Sequence, residues 1–396
     1  MAKFLIINGG WEQIPLIKKI YSQNHRIYLI NDKKPEKDLL SIIDDYFVTD
    51  FSDLYSIRKF GEAIKPDAVI SDECDYSFFT QAYLANLFNL PGPNIQEAQI
   101  SCNKLLQRKL GKSKGIKQPK FLLVKSPNEL RYASDYIGFP LIIKPIDNRG
   151  SFGVKKVLNK NELHQAFFDS LQYCKSKLLL VEEFIEGLEI TIDGFCFNNN
   201  GCVSLTCGSK RKEVDGLPVA TDIIYPAEIN PILRKDIMLL NESINNKLGY
   251  QFGMTHSEYI LNANNDLFLI ESANRGGGCY TSQFIVQECS GIDIVQRYVD
   301  SALGLEIKSP TKIESNSVLL KFFQLKKGQL KKIKISNKIK NDNRVLSYRV
   351  NVNKNEFIER IDSDASRHGF IIVKGSTQLR KDFLNIFNKY FTFEYE

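Results

Sequence analysis

"HSEYILNANNDLFLIESANRGGG", residues 256–278, sets two glutamates in two short apolar, strand-like runs, with "LNANND" between them. Asn and Asp clustered between alternating apolar runs predict a β-hairpin, which brings Glu258 and Glu271 side by side. Two adjacent carboxylates repel unless a cation neutralises them. Oxygen ligands of this kind suit Mg²⁺, which uses one or two protein carboxylates and keeps waters and substrate phosphates. Arg275 comes four positions after Glu271 and precedes three glycines. A guanidinium there can hold an anionic substrate or the charge that develops in phosphoryl transfer. A hairpin with a purely structural role is the alternative reading of the same residues.

Upstream, "FPLIIKPIDNRGSFGV", residues 139–154, ends an apolar run in Lys144 and continues into a loop with Arg149, Gly150, Ser151 and Gly153. The common phosphate loop has its glycines first and its lysine at the start of a helix. Here the order is reversed. A lysine fixed on a strand, followed by a flap whose backbone N–H groups at Ser151 and Gly153 can close over phosphate oxygens, suits a nucleotide held between two layers. A surface hairpin with a lysine reads the same way. In "LLLVEEFIEGLEIT", residues 178–191, Glu182, Glu183, Phe184 and Ile185 can present backbone polar groups to an adenine edge, and Glu189 a carboxylate to a ribose hydroxyl. A hairpin with solvated acids is the alternative.

The first hundred residues alternate β-rich runs ("KFLIING", "RIYLIND", "DYFVTD", "DAVISD") with helical periodicity ("WEQIPLIKKIYSQ", "DLYSIRKFGEAI", "FFTQAYLANLFN"). That alternation predicts a parallel sheet covered by helices, a Rossmann-like layout. Gly9 and Gly10 lie in "NGGWEQ", which lacks the GxGxxG spacing, so a dinucleotide-dependent dehydrogenase is disfavoured. Ligands of such sheets gather at the carboxyl ends of the strands, which points to Asn31, Asp32 and "SDECDY". Glu73 and Asp75 are candidates for a substrate ammonium group, with helix capping by Asp72 or Asp75 as the alternative. "LPGPN", residues 90–94, marks a boundary.

At 396 residues the chain is long enough for two or three domains. Its 43% hydrophobic and 25% charged residues are ordinary for a globular protein. The formal charge of +7 is scattered, with short clusters such as "KSKGIKQPK" and "LKKGQLKKIKI" that read as solvated faces rather than as a nucleic-acid footprint. The apolar run at the N-terminus is too short for a membrane span and no small-residue cleavage site follows it, so a cytoplasmic location is expected. The eight cysteines form no CxxC pair and no metal-like spacing with the four histidines, which predicts reduced, structural thiols. Cys279, just after the glycines, is read as a bystander thiol rather than a nucleophile.

Taken in order, these elements resemble the ATP-grasp superfamily. "SCNKLLQRKL" is similar to that family's first lysine helix, with Lys104 as a phosphate contact, and "FPLIIKP" to its second lysine strand. "RGSFGV" resembles the glycine-rich flap, "VEEFIEGLE" the adenine hinge, and "SEYIL…LIESANR" the metal-binding hairpin. The resemblance implies a mixed α/β and α+β fold laid out as in biotin carboxylase and the carbamoyl-phosphate synthase large subunit. Its parts would be a Rossmann-like domain over 1–97, an ATP-grasp core over 98–305 with a lid over about 117–185, and a small β-rich domain over 306–396. "GSKRKEVDG" stands where family members place basic residues near the γ-phosphate, which makes Lys210, Arg211 and Lys212 candidates; solvated loop charge is the alternative. One position departs from the family's E-x-N-x-R motif, because Glu271 is followed by Ser272, Ala273, Asn274 and Arg275. Either the two glutamates suffice, or Asn274 is displaced into the role of third metal ligand.

The activity so implied is an ADP-forming ligase using ATP and Mg²⁺ (or Mn²⁺). A small carboxylate is activated as an acyl phosphate and then joined to an amine as an amide or peptide bond. Lys104 and Lys144 would hold phosphates, Glu258 and Glu271 the metal, and Arg275, Lys210 and Arg211 the developing charge. Such chemistry needs alignment and electrostatics rather than a nucleophilic side chain. A carboxylase working through carboxyphosphate and a nucleotide-binding protein without turnover are the alternatives. Expected partners are small acids and amines, with no nucleic acid or membrane, and a homodimer of the kind common among similar enzymes.

Overall fold

In a computed structural model of the chain, residues 1–148, 150–197, 201–212, 219–375 and 377–396 are described. Arg149 of the flap and residues 213–216 of the basic segment lie outside the described residues. Four apolar runs form the strands Lys3–Ile7 (β1), Arg26–Asn31 (β2), Asp45–Val48 (β3) and Ala68–Ile70 (β4). They pair in parallel in the order β3-β2-β1-β4, as a Rossmann-like sheet requires. Leu16, Ile17 and Ile20 of the helix Ile14–Ser22 are buried at helical spacing and join the core cluster that contains Phe4, Ile27 and Leu29. Gly9 follows β1 for a packing reason, since an added Cβ would lie 2.5 Å from the Leu29 side chain. Gln13 ties the loop after β4 to the first strand: its Nε2 donates to Ile7 O (3.2 Å) and Asp72 O (2.8 Å), and Asp72 N donates back to its Oε1 at 3.1 Å.

The strands Phe121–Val124 (β5), Leu141–Pro145 (β6), Lys155–Val157 (β7) and Leu179–Glu183 (β8) make an antiparallel sheet in the order β5-β8-β6-β7. The helices Pro127–Ile137 and Leu163–Leu171 cover it, and Val124, Leu130, Leu141, Ile143, Phe167 and Val181 make a core separate from that of the first domain. Burying a side chain of that size contributes roughly 1.5–3 kcal/mol. The lid is therefore held together by its own contacts.

Next come Leu188–Phe197 (β9), Gly201–Arg211 (β10), Asp222–Tyr225 (β11), Gly253–Leu261 (β12), Leu267–Ala273 (β13) and Val318–Phe322 (β14). The tail adds Gly328–Ile335 (β15), Val345–Val350 (β16), Phe357–Ile358 (β17), Gly369–Lys374 (β18) and Phe391–Tyr395 (β19). One eight-stranded sheet runs β13-β12-β9-β10-β11-β14-β18-β16, and β17-β15-β19 form a small one. The β-rich tail after 306 is thus divided, with β14, β16 and β18 extending the sheet that carries the hairpin and only β15, β17 and β19 standing apart. The whole is the mixed α/β and α+β architecture that the sequence implies. Among the described residues no helix is long and apolar enough to cross a membrane. Cys196 and Cys202, expected as free thiols, are direct partners across β9 and β10 and are joined as a disulfide; Cys74, Cys102, Cys174, Cys207, Cys279 and Cys289 are free.

Candidate active site

The hairpin of β12 and β13 sets Glu258 directly opposite Glu271, with a β-bulge immediately after the pair. Each carboxylate has a protein cation. Glu271 Oε1 accepts from Lys104 Nζ at 2.8 Å, and Lys104 also donates to Asn148 O at 2.8 Å. Lys104 opens the helix Lys104–Ser113, whose cap Asn103 accepts from the N–H groups of Leu105 and Leu106. Glu258 Oε1 accepts from Lys210 Nζ and lies 3.7 Å from His256 Nε2. Burial opposes the charge on Glu258, yet Lys210 and His256 hold its carboxyl well below the usual range. The imidazole of His256 meets Asp193 Oδ1 at 2.7 Å. Burial alone would lower its pKa, but Asp193 and Glu258 carry it up to about 9.

Strand periodicity decides which of the candidates join this cluster. Along the end of β10, Lys210 and the following Lys212 turn to Glu258 and Glu189, whereas Arg211 turns to the other side and pairs with Glu228. The side chain of Lys210 is 15% exposed and that of Arg211 is 54% exposed. Arg211 is not brought to the carboxylates. The same alternation puts Glu271 and Ala273 on one face of β13 and Ser272 on the other, and Asn274 follows just past the strand. Asn274 is buried, and its Nδ2 donates to Phe252 O (2.7 Å) and Met254 O (2.9 Å). Its Nδ2 ties the end of β13 to the start of β12, while its buried Oδ1 has no hydrogen-bond partner among the described residues. Ala273, which has no donor atom, stands in register with His256 on the face of the pair.

Lys144 belongs to a second, deeper cluster. Its Nζ lies 2.7 Å from Glu182 Oε2, and Arg108 Nε donates to Glu182 Oε1 at 2.6 Å. Arg108 Nη2 also donates to Ile270 O at 2.7 Å, next to Glu271. Burial would raise the Glu182 carboxyl, but Arg108 and Lys144 bring it down to about 2; burial lowers the pKa of Lys144. The side chain of Glu182 is thus a counter-ion for two cations, while its backbone pairs with β5 and β6 and that of Glu183 with β6, inside the lid sheet. Glu183 Oε2 accepts from Lys120 N at 3.2 Å, and the Phe184 ring carries Lys156 Nζ 3.6 Å from its centroid. Ile185 is partly buried beside them. Arg275 is latched to the first domain: Nε and Nη2 donate to the two carboxylate oxygens of Asp75 at 2.6 and 2.9 Å, and Nη1 donates to Gly276 O at 2.9 Å.

A family model described as an ATP-grasp domain matches residues 137–283, a span that holds Lys144, Glu182, Glu189, Lys210, Glu258, Glu271 and Arg275. The chain carries an ATP-grasp domain. A D-alanine–D-alanine ligase of Azobacteroides pseudotrichonymphae is 28% identical over 52% of this chain and 66% of its own length. An L-amino acid ligase from Bacillus licheniformis has the same fold, with a TM-score of 0.86 at 20% identity, 100% of this chain and 99% of that one covered. A biotin carboxylase from Campylobacter jejuni superposes with a TM-score of 0.76 at 15% identity, covering 99% and 92% of the two chains. The chain spans between 34% and 66% of the length of the first curated relatives it matches.

In this ATP-grasp domain the flap is drawn toward the C-terminal strands. Ser151 Oγ donates to Asp364 Oδ2 at 2.8 Å, and Asp364 N donates to Gly150 O at 3.2 Å. Ser151 and Gly153 both take positive φ, and a Cβ on Gly153 would meet Pro145 and Tyr173 at 3.0 Å. Sequence reasoning missed Arg108, Asp193 and His256. His256 carried a usable signal, since it precedes Glu258 by two positions on a strand and so shares its face. Asp193, its cross-strand partner in β9, and Arg108, one turn after Lys104, offered none until the chain was folded. The donor set fits Mg²⁺, because Glu258 and Glu271 are two hard carboxylates side by side in register.

Proposed function

We propose that the chain is an ADP-forming ligase that activates a small carboxylate with ATP and joins it to an amine. The single observation that carries this reading is the Glu258–Glu271 pair, in register, each with its own lysine. Two carboxylates and two lysines form a set that can exchange partners. With Mg²⁺ and nucleotide bound, Glu258 and Glu271 would hold the divalent cation and Lys104 and Lys210 would face phosphate, so no charge would be left unpaired. Mg²⁺ supplies neutralisation of the phosphate charge there.

The roles of the chain's own groups follow. Lys104, at a helix N-terminus, adds its charge to the favourable end of the helix dipole. Lys144 keeps one N–H on Glu182 and offers others to phosphate, held rigid because Arg108 grips the far oxygen of the same carboxylate. Lys210 and protonated His256 bring positive charge beside Glu258, where phosphoryl transfer builds negative charge. Glu189, paired with Lys212, is the ribose contact. The flap of Ser151 and Gly153 excludes water so that an acyl phosphate meets the amine first. The names of the relatives, D-alanine–D-alanine ligase and L-amino acid ligase, support an acid and an amine as substrates.

The test is release of ADP and phosphate in Mg-ATP with a matrix of small acids and amines, with the condensed product followed by mass spectrometry. Release that requires one acid together with one amine, and yields their amide, is the expected result. A second reading, carboxylation through carboxyphosphate, draws on Ala273, which stands where the family's E-x-N-x-R motif has its asparagine. ADP release that requires bicarbonate would displace the ligase in its favour.

A further inference from the structure

Asp364, in the β-rich tail, fastens the flap to the C-terminal strands. Its Oδ2 accepts from Ser151 Oγ at 2.8 Å, its backbone N donates to Gly150 O at 3.2 Å, and its Oδ1 accepts from Arg367 Nη2 at 2.5 Å. Both carboxylate oxygens and the amide are thus engaged, and two of the three bonds reach the flap.

The mount behind Asp364 is built to hold still. Asp364 opens a short 3₁₀ turn, Asp364–Ser366, closed by a capping box in which Ser363 and Ser366 each bond the other's backbone N–H. Ser363 is buried, and the turn leads into β18, which lies between β14 and β16 in the sheet that carries the Glu258–Glu271 hairpin. Arg367 lies against the Phe322 ring of β14, its guanidinium carbon 3.3 Å from the centroid, and from there fixes the Asp364 carboxylate. Arg367 also balances the charge of Asp364, and Lys210 lies within the field of the same carboxylate.

The flap end depends on these contacts. Gly150 and Ser151 take φ of 62° and 61°. Left-handed backbone at a non-glycine residue persists where its surroundings over-determine it. Val154 N closes a turn on Ser151 O at 3.2 Å, and Asp364 supplies the two further constraints. The C=O and N–H of a trans peptide point in opposite directions. Because Gly150 O is turned to Asp364 N, the N–H of Ser151 is held on the far side of that peptide from Asp364. The base of the flap is tied elsewhere, since Asn148 O accepts from Lys104 Nζ at 2.8 Å and Asn148 Oδ1 from Tyr76 OH at 3.0 Å.

We propose that Asp364 is a positioning residue for phosphoryl transfer, holding Gly150 and Ser151 of the flap closed over the nucleotide phosphates from the C-terminal strands. The assignment rests on the reading of the cleft as a nucleotide site. Asp364 acts through Ser151 and touches no reactant, so its effect is read on the flap itself.

The test is hydrogen exchange of the full chain, read by mass spectrometry on a peptide covering residues 146–157, with the Mg²⁺ complexes of ADP and of a non-hydrolysable β,γ-imido ATP. Asp364→Ala should speed exchange of the flap amides at least about tenfold with either nucleotide bound, the loss of one hydrogen bond to a charged group. Its calorimetric affinity for the ATP analogue should weaken by at least about threefold. Asp364→Asn keeps an oxygen for the Ser151 hydroxyl and should bring exchange back to within about threefold of wild type. Ser151→Ala removes the same bond from the other side, and the double variant with Asp364→Ala should be no looser than either single variant by more than about twofold. Peptides of the lid core around Ile143 and Val181 report on folding and should exchange as in wild type. The Asp364 side chain is 40% exposed, so its replacement should fold; if Asp364→Ala does not, Ser151→Ala and Asp364→Asn carry the test. The proposal falls if flap exchange or analogue affinity in Asp364→Ala or Ser151→Ala matches wild type, if Asp364→Asn is as loose as Asp364→Ala, or if the two losses add. A wild-type chain that binds neither nucleotide removes the nucleotide reading and this role with it. Nucleotide binding with a flap indifferent to residue 364 removes the role alone.

Discussion

Glu258 and Glu271 face each other across a hairpin, and Glu73 sits next to Asp72 in a loop; both are pairs of acids drawn out of water, and they have opposite electrostatics. The hairpin pair is neutralised from within, each carboxylate by its own lysine, and Glu258 stays charged well below the usual range. The loop pair is not. Burial first, then Asp72 and Glu12, push the Glu73 carboxyl well above its ordinary value, and burial brings Asp72 up to about 6 despite its hydrogen bonds. The hairpin carries matched charges that can be traded for a metal and phosphates, whereas burial and its acidic neighbours drive the Glu73 carboxyl of the loop toward its neutral form.

The comparison is sharpened most by removing one hairpin charge. Glu271→Gln should lower ADP-forming turnover by at least about 100-fold while the far-UV spectrum and melting temperature stay close to wild type. Wild-type turnover in that variant would end the metal assignment. Next in size is Arg108→Met, which leaves Glu182 with one cation instead of two and should cost about 3–5 kcal/mol in urea unfolding. A midpoint unchanged in urea would mean that the buried cluster does not anchor Lys144.

A pH series reads the loop pair. Folding raises the Glu73 pKa above 4.5, so its stabilising contribution is complete below that pH and is lost as pH rises through the raised value. Asp72 acts in the same direction between 3.8 and about 6. Glu73→Gln should flatten this loss in thermal melts from pH 4 upward and leave the part due to Asp72; a slope as steep as wild type would show that Glu73 is paired in solution. The smallest effect belongs to Arg211→Gln. An exposed ion pair with Glu228 contributes little, and turnover should not change, whereas Lys210→Gln, one residue away, should reduce it. Equal losses in the two would contradict the alternation that separates them.

Much of the fold was legible because its signals are local. Alternation of apolar strands and helices announced the parallel sheet, and "LNANND" between two apolar runs announced the hairpin that pairs Glu258 with Glu271. The strand lysine and flap were readable for the same reason. Local reading gave way where the contact is long-range. Asn274 stands one residue from the family's ligand position, yet it lies just past the strand and its Nδ2 is taken by the backbone of Phe252 and Met254. Arg275 reads as an anion holder beside the glycines, but Asp75, 200 positions earlier, takes its guanidinium in two hydrogen bonds.

The sequence by itself therefore determined the order of elements, the paired glutamates and the strand that ends in Lys144, because each depends on periodicity and spacing within a few residues. Only the tertiary structure decided which cation each carboxylate receives. Lys104 meets Glu271, Lys210 meets Glu258, Arg108 and Lys144 share Glu182, and Glu73 has no cation partner among the described residues. Charge pairing depends on distance in space and on burial, and both arise when separate sheets pack against one another.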